Sequence, residues 1–107
     1  MTSKEDAKMV RKVRSGRAKT EKLWQAVQWA KEIAQYINKK HGVPVAVYVE
    51  KFGEIGTIRW FFDQTNMEAV EKLDNQLMAD KEYIKRVGQV GELFIEGSFH
   101  DTVMFTV

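Results

Sequence analysis

Four side chains on the last three predicted strands have the chemistry of a catalytic or substrate-orienting group. They are Tyr48, Glu50, Arg59 and His100. His100 is the sharpest candidate, because an unperturbed imidazole titrates near neutrality and suits proton transfer. Glu50 or Arg59 could orient a carbonyl or an enolate, and Tyr48 could donate a hydrogen bond to it. We therefore predict His100 as a catalytic acid or base.

The alternation of side chains along three predicted strands decides which residues accompany these four. Successive residues of a strand point to opposite faces of a sheet. One face carries mostly large apolar residues: Val43, Val45, Val47, Val49, Ile58, Trp60, Phe62, Phe99, Val103, Phe105 and Val107. The other, which we call the open face, carries Ala46, Tyr48, Glu50, Thr57, Arg59, Phe61, His100, Thr102 and Met104. On this face we predict a ligand-binding set of Tyr48, Glu50, Arg59, Phe61, Thr102 and Met104.

A second interpretation of the same residues needs no chemistry. Glu50 and Arg59 on neighbouring strands would form a cross-strand ion pair, and His100 would be satisfied at a dimer seam. Asp101 cannot readily form a dyad with His100, since adjacent strand residues face opposite ways. Both interpretations stay open at the level of sequence.

Several kinds of site are not indicated. The chain has no cysteine and two histidines, so thiol chemistry is excluded and metal ligation is weakly supported. The glycines at positions 53 and 56 fall in a predicted hairpin rather than before a helix, unlike a phosphate-binding loop. We predict neither a metal nor a cofactor.

The order of periodic segments predicts the fold. A half-exposed edge strand is predicted from Met9 to about Arg17, followed by a helix that Thr20 caps and Gly42 ends. Two strands and a hairpin turn come next, and then a helical region with a capping box at 65–68 and a fresh start at Asp80. The last strand closes the chain, and residues 92–97 are either extended or helical.

A β-α-β-β-α-β order of this kind predicts a ferredoxin-like α+β fold. Its four-stranded antiparallel sheet carries both helices on one face.

At 107 residues the chain is expected to form a single domain over residues 9–107, after a flexible N-terminus of residues 1–8. No apolar run approaches the roughly 18 residues that span a bilayer, and no signal peptide is visible. We therefore expect a cytoplasmic protein with no membrane partner.

The net charge of +2 is unevenly distributed. Residues 1–22 contain eight Lys or Arg and three acidic residues, so the net charge of this segment is +5. A basic arm could contact phosphates. The preferred interpretation is a mobile terminus followed by a solvated strand, because no aromatic residue lies among these charges to stack on bases.

The open face mixes aromatic, apolar and ionisable side chains, and such a face is expected to be covered.

The strand order, the long first helix and three stretches, 56–60, 80–83 and 96–101, resemble the dimeric α/β-barrel superfamily. That superfamily includes antibiotic-biosynthesis-type monooxygenases and stress-responsive barrel proteins. The resemblance implies a homodimer in which two sheets meet face to face as an α/β barrel, with a cavity inside each protomer.

Three functions follow as hypotheses. The first is a homodimeric barrel that binds a small apolar or aromatic molecule in a cavity at the open face. The second, drawn from the resemblance, is a cofactor-independent monooxygenase, isomerase or cyclase that uses His100. The third is a structural dimer or an RNA-binding module, although the first strand lacks the exposed aromatics that such modules use. A nucleic-acid partner is therefore not favoured.

Overall fold

The computed structural model describes residues 9–107. The predicted flexible N-terminus, residues 1–8, lies outside the described residues. The strands are β1 (Val10–Arg17), β2 (Val45–Val49), β3 (Thr57–Gln64) and β4 (His100–Phe105). The helices are α1 (Leu23–His41), α2 (Met67–Met78), α3 (Lys81–Val87) and the single turn α4 (Val90–Leu93), and a 3₁₀ turn at Thr20–Lys22 precedes α1.

The four strands form one antiparallel sheet in the order β2-β3-β1-β4. The α+β, ferredoxin-like architecture with helices packed on one face is therefore confirmed. The prediction that the first strand is an edge strand was wrong, because β1 lies between β3 and β4. Its alternation with charged residues suggested a solvated strand, yet Lys12 is buried and Arg14 is half-buried. Both cations are on the helix-covered face, opposite Phe62 and Trp60 of β3.

Helix α1 packs on the sheet through a stripe of small and apolar residues. Its buried members are Ala26, Trp29, Ala30, Ile33, Ala34 and Ile37. The stripe follows the helical repeat, so one side of α1 meets the sheet and the other meets water. Gly42 ends the helix in the left-handed conformation (φ 72°), and its N–H bonds the carbonyl of Asn38, as predicted. Thr20 begins the 3₁₀ turn rather than capping the helix by its side chain.

The next two helices begin at side-chain caps. Asn66 accepts a hydrogen bond from the backbone N–H of Ala69, so the cap is Asn66 and not Thr65, one residue later than predicted. Asp80 accepts from the N–H groups of Glu82 and Tyr83 and starts α3, which confirms the predicted fresh turn. After α4, Phe94 forms a bridge with Ala18, so residues 92–97 are partly helical and partly extended.

Strand β4 is the least covered part of the sheet. All six of its residues are exposed, whereas in β3 every residue except Asp63 is buried or half-buried. The main core lies between α1, α2, α3 and the strands β2 and β3. Within residues 9–107, no helix combines the length and the apolar character needed to cross a bilayer.

Candidate functional site

The sheet register places the predicted residues of the open face in rows across the strands. Tyr48 pairs with Arg59, Arg59 with Ser15, and Ser15 with His100, so these four form a single row. The prediction that Tyr48, Arg59 and His100 share a face is correct. Because neighbouring strands lie about 4.8 Å apart, His100 is about 10 Å from Arg59 and about 14 Å from Tyr48 along the sheet. Within one protomer they do not surround a common substrate.

Ion pairs within the open face use the charges that were predicted to bind a ligand. Arg59 Nη2 donates to Glu50 Oε1 over 2.6 Å, the cross-strand pair of the second interpretation. Hydrogen bonds from the backbone N–H of Glu54 and from Arg59 lower the pKa of Glu50. Arg11 and Asp63 form a second, bidentate pair at 2.7 and 2.8 Å. These four charges are therefore neutralised in pairs within the face.

The aromatic residues of the open face also contact their neighbours. The Tyr48 and Phe61 rings meet edge to face with centroids 5.1 Å apart, and the Arg11 guanidinium lies 5.0 Å from the Phe61 centroid. His100 Nε2 is 3.1 Å from Ser15 Oγ. Thr102 and Met104 lie in the next two rows of β4, opposite Val13 and Arg11. The catalytic role of His100 and the ligand-binding role of the other six remain predictions.

A cavity of about 470 Å³ lies on the other face of the sheet, between the strands and the helices. We call it the helix-side cavity. Its apolar lining is Trp29, Ile33, Ile37, Trp60, Phe62, Met78, Val87, Val90 and Phe99, and its polar lining is Arg14, Tyr83, His100 and Asp101. The predicted cavity was on the open face, and His100 is the one predicted site residue in this lining. The cavity predicted at the open face, which a second copy would close, stays a prediction.

The aromatic wall of the cavity is held in place by its own contacts. The Trp29 and Trp60 rings meet edge to face at 6.0 Å, and Trp60 stacks on Phe99 at 6.1 Å. Each indole N–H is satisfied by a backbone carbonyl, Trp29 by that of Arg86 and Trp60 by that of Ala30. These indoles therefore present carbon surface to the cavity without an unsatisfied donor.

Arg14, Tyr83 and Asp101 form the polar end of the cavity. Arg14 donates from Nε and Nη2 to the two carboxylate oxygens of Asp101, over 2.9 and 3.0 Å. These hydrogen bonds lower the pKa of Asp101 and raise the pKa of Arg14. Burial raises the pKa of the Tyr83 hydroxyl, and the nearby Arg14 charge opposes that effect only in part. Tyr83 is therefore a neutral phenol at physiological pH.

Lys12 extends this polar end towards the surface. Its ammonium is 2.6 Å from the Asp74 carboxylate and 3.8 Å from that of Asp101. The Lys12 side chain is 8% exposed, whereas Asp74 is 46% exposed. The cations Lys12 and Arg14 and the carboxylates Asp74 and Asp101 thus form a chain of charged groups between solvent and the cavity. Their formal charges sum to zero.

Sequence reasoning missed the polar end of this cavity. From the sequence, Arg14 is one of the charges of a basic segment that includes a solvated strand, and Tyr83 is placed only in the helical region that starts at Asp80. The signal that could have found Arg14 is its parity: Lys12, Arg14 and Gly16 share one side of β1. In the central strand β1 that side faces the helices, where Lys12 is buried and Arg14 is half-buried.

Other classes of site find little support in the described residues. Over residues 9–107, no three His, Cys, Asp or Glu side chains are grouped so as to hold a metal. On the open face of β1, the side chains are Arg11, Val13, Ser15 and Arg17, so this central strand offers no base-stacking ring.

The fold places the chain in a recognisable structural class, that of ferredoxin-like α+β proteins. No protein-family model matches the sequence, and no curated protein matches it. Solved structures do match. A NIPSNAP family protein of unknown function from Agrobacterium tumefaciens aligns with a TM-score of 0.77 at 16% identity, covering 92% of this chain and 88% of its own.

Two further structures agree with this result. An uncharacterised NIPSNAP-like domain protein from Burkholderia xenovorans has a TM-score of 0.77 at 11% identity, with 92% and 85% of the two chains covered. A conserved protein from Methanosarcina mazei has a TM-score of 0.70 at 12% identity, with 95% and 96% covered. At these identities the likeness shows the fold alone. The relation to antibiotic-biosynthesis-type monooxygenases remains a prediction.

Proposed function

We propose that this protein is a homodimer that binds a small, largely apolar or aromatic molecule in the helix-side cavity of each protomer. The observation that carries the proposal is the cavity itself. Its volume of about 470 Å³ lies in the usual range for small-molecule sites. An aromatic wall with a few convergent polar groups is also typical of such sites.

The dimer part of the proposal rests on the open face. Tyr48 is 63% exposed and Met104 is 45% exposed, so the face carries apolar surface to bury. Because Arg11, Asp63, Arg59 and Glu50 already form two ion pairs, covering them would not strand a single charge. A second copy of the same face would supply a matching apolar surface through an isologous contact.

The stoichiometry is tested by light scattering during gel filtration at micromolar concentration. The proposal predicts twice the protomer mass of 12.4 kDa. Tyr48→Glu should shift the protein to the monomer, since it places an unpaired carboxylate in the seam. The matched control is Trp24→Glu on α1, where the aromatic side chain is 77% exposed and away from the sheet. A monomeric parent protein would refute the dimer.

Ligand binding is tested with the neutral fluorescent probe N-phenyl-1-naphthylamine. We expect its emission to rise on binding, and Val87→Phe to abolish the rise by filling the cavity. Ile84→Phe is the control, because Ile84 lies on the same helix α3 and is 44% exposed. If Val87→Phe leaves the binding unchanged, the helix-side cavity is not the site. Native mass spectrometry of the purified protein would show any small molecule that it retains.

A further inference from the structure

The polar end of the helix-side cavity presents hydrogen-bond donors from Arg14 and Tyr83. A guanidinium has five N–H groups, and Arg14 directs two of them at Asp101. Both Asp101 oxygens accept those bonds, and Lys12 stands 3.8 Å from one of them. The Tyr83 hydroxyl stays protonated and adds a further donor. A ligand oxygen that carries lone pairs can therefore accept hydrogen bonds at this end of the cavity.

The charge at the polar end restricts the ligand further. The formal charges of Lys12 and Arg14 are balanced by those of Asp74 and Asp101. An anionic ligand would introduce a charge with no free counter-charge, and burying such a charge is strongly unfavourable. A neutral oxygen with lone pairs satisfies the donors without that penalty.

From these two observations we infer that the helix-side cavity selects neutral aromatic carbonyl compounds, with the carbonyl oxygen accepting hydrogen bonds from Tyr83 and Arg14. This inference rests on the proposed ligand-binding function. The aromatic body of the ligand packs against Trp29, Trp60 and Phe99. Tyr83 and Arg14 are then specificity-determining residues. The Asp101 carboxylate balances the positive charge of Arg14.

Three probes of matched shape separate the possibilities: 2-acetonaphthone with a neutral carbonyl, 2-ethylnaphthalene without oxygen, and 2-naphthoate with a negative charge. The readout is the indole N–H resonances during titration. Those of Trp29 and Trp60 should shift. That of Trp24, which is 77% exposed on the outside of α1, should not.

We expect the ketone to bind about 5- to 10-fold more tightly than the hydrocarbon, as one net hydrogen bond implies. Tyr83→Phe should reduce that preference to within about twofold, as loss of the hydroxyl donor implies. The affinity for 2-ethylnaphthalene should be unchanged in this variant, which shows that the cavity is intact. Asp101→Asn should raise the affinity for 2-naphthoate about tenfold, because it leaves the polar end with a net positive charge.

The outcomes distinguish this inference from the proposed function. If no probe shifts Trp29 or Trp60, the cavity does not bind small molecules and both fail. If the hydrocarbon or the naphthoate binds as tightly as the ketone, ligand binding stands and the carbonyl inference is overturned. The carbonyl inference also fails if Tyr83→Phe weakens the binding of the ketone and of the hydrocarbon equally.

Discussion

The Arg14 guanidinium donates two hydrogen bonds to the Asp101 carboxylate, 2.9 and 3.0 Å long, and so joins the central strand β1 to the exposed edge strand β4. The two residues are register partners on adjacent strands. Every residue of β4 is exposed, and this side-chain contact adds to the backbone pairing that holds β4 to β1. It also forms part of the helix-side cavity.

The first prediction concerns acid stability. Arg14 lowers the pKa of Asp101 in the folded protein, so this pair contributes stability above the unfolded pKa of about 4. That contribution is lost as the pH falls through the lower, folded pKa. Asp101→Asn should remove about 1 kcal/mol at pH 7, a modest loss because the Asp101 side chain is 40% exposed.

Thermal unfolding of both proteins between pH 7 and pH 3 measures this effect. The stabilities should converge as the pH falls, because protonated Asp101 loses its charge in the parent protein too. A stability difference that stays constant across the range would contradict the assigned role of the Asp101 charge.

The second prediction concerns Gly16 on β1. A Cβ at this position would lie 2.7–2.9 Å from three ring carbons of Phe99, a ring that is packed on Trp60 and Phe94. Gly16→Ala should therefore destabilise the protein by about 1–3 kcal/mol, the usual range for overpacking. Denaturant unfolding measures the free energy.

Two variants make the assignment specific. Phe99→Leu in the Gly16→Ala background should recover part of the loss, since a smaller side chain frees the space. Gly91→Ala is the matched control, because nothing lies within 4 Å of a Cβ built there. That control should be neutral or slightly stabilising. An equal loss from both alanine substitutions would show that contact with Phe99 is not the cause.

The third prediction contrasts the two ends of the Lys12–Asp74 pair. Lys12 is nearly buried, whereas Asp74 is 46% exposed. Asp74→Ala leaves a buried ammonium without its nearest partner and should cost about 1–3 kcal/mol. Lys12→Met removes the buried charge and leaves Asp74 to water, so its effect should stay within about 1 kcal/mol.

Urea unfolding of the two single variants and of the double variant tests this asymmetry. The double variant should resemble Lys12→Met, because the stranded charge is absent from both. If Lys12→Met is the more damaging change, the pair is held by the packing of the Lys12 stem rather than by its charge.

The fourth prediction compares two helix caps. Asn66 caps α2 with one hydrogen bond, and Asn66→Ala should cost about 1 kcal/mol. Asp80 caps α3 and also receives hydrogen bonds from the Tyr36 hydroxyl at 2.7 Å and from Lys40 at 3.2 Å. His41 Nε2 lies 2.9 Å from the same carboxylate. Asp80→Ala should therefore lower the melting temperature more than Asn66→Ala does.

The acid dependence of the two cap variants should also differ. Burial alone would raise the pKa of Asp80, but the hydrogen bonds from Tyr36, His41 and the backbone outweigh it and hold the pKa well below its usual value. This contribution to stability is present above about pH 4 and is lost on acidification. The melting temperature of Asp80→Ala should fall less steeply below pH 4 than that of Asn66→Ala.

Much of the fold follows from local rules that act within a few residues. Alternation assigned Tyr48, Arg59 and His100 to one face correctly, because side-chain direction along a strand depends on parity alone. The left-handed Gly42 and the Asp80 cap were predicted for the same reason, since each depends on a single turn of backbone. Which side chains of the open face contact one another was less predictable, because those contacts depend on which strands are neighbours.

Tertiary structure decided the order of the strands. That order in turn decided which charged residues face solvent and which face the helices. The sequence by itself determined two faces for each strand, but parity cannot say that β1 lies between β3 and β4. That placement separates His100 from Arg59 and turns Arg14 from a solvated charge into the polar end of a cavity. The pairing of β1 with β4 joins residues 87 positions apart, such as Arg14 and Asp101. A contact at that separation is set by tertiary packing, because rules that act within a few residues cannot reach so far along the chain.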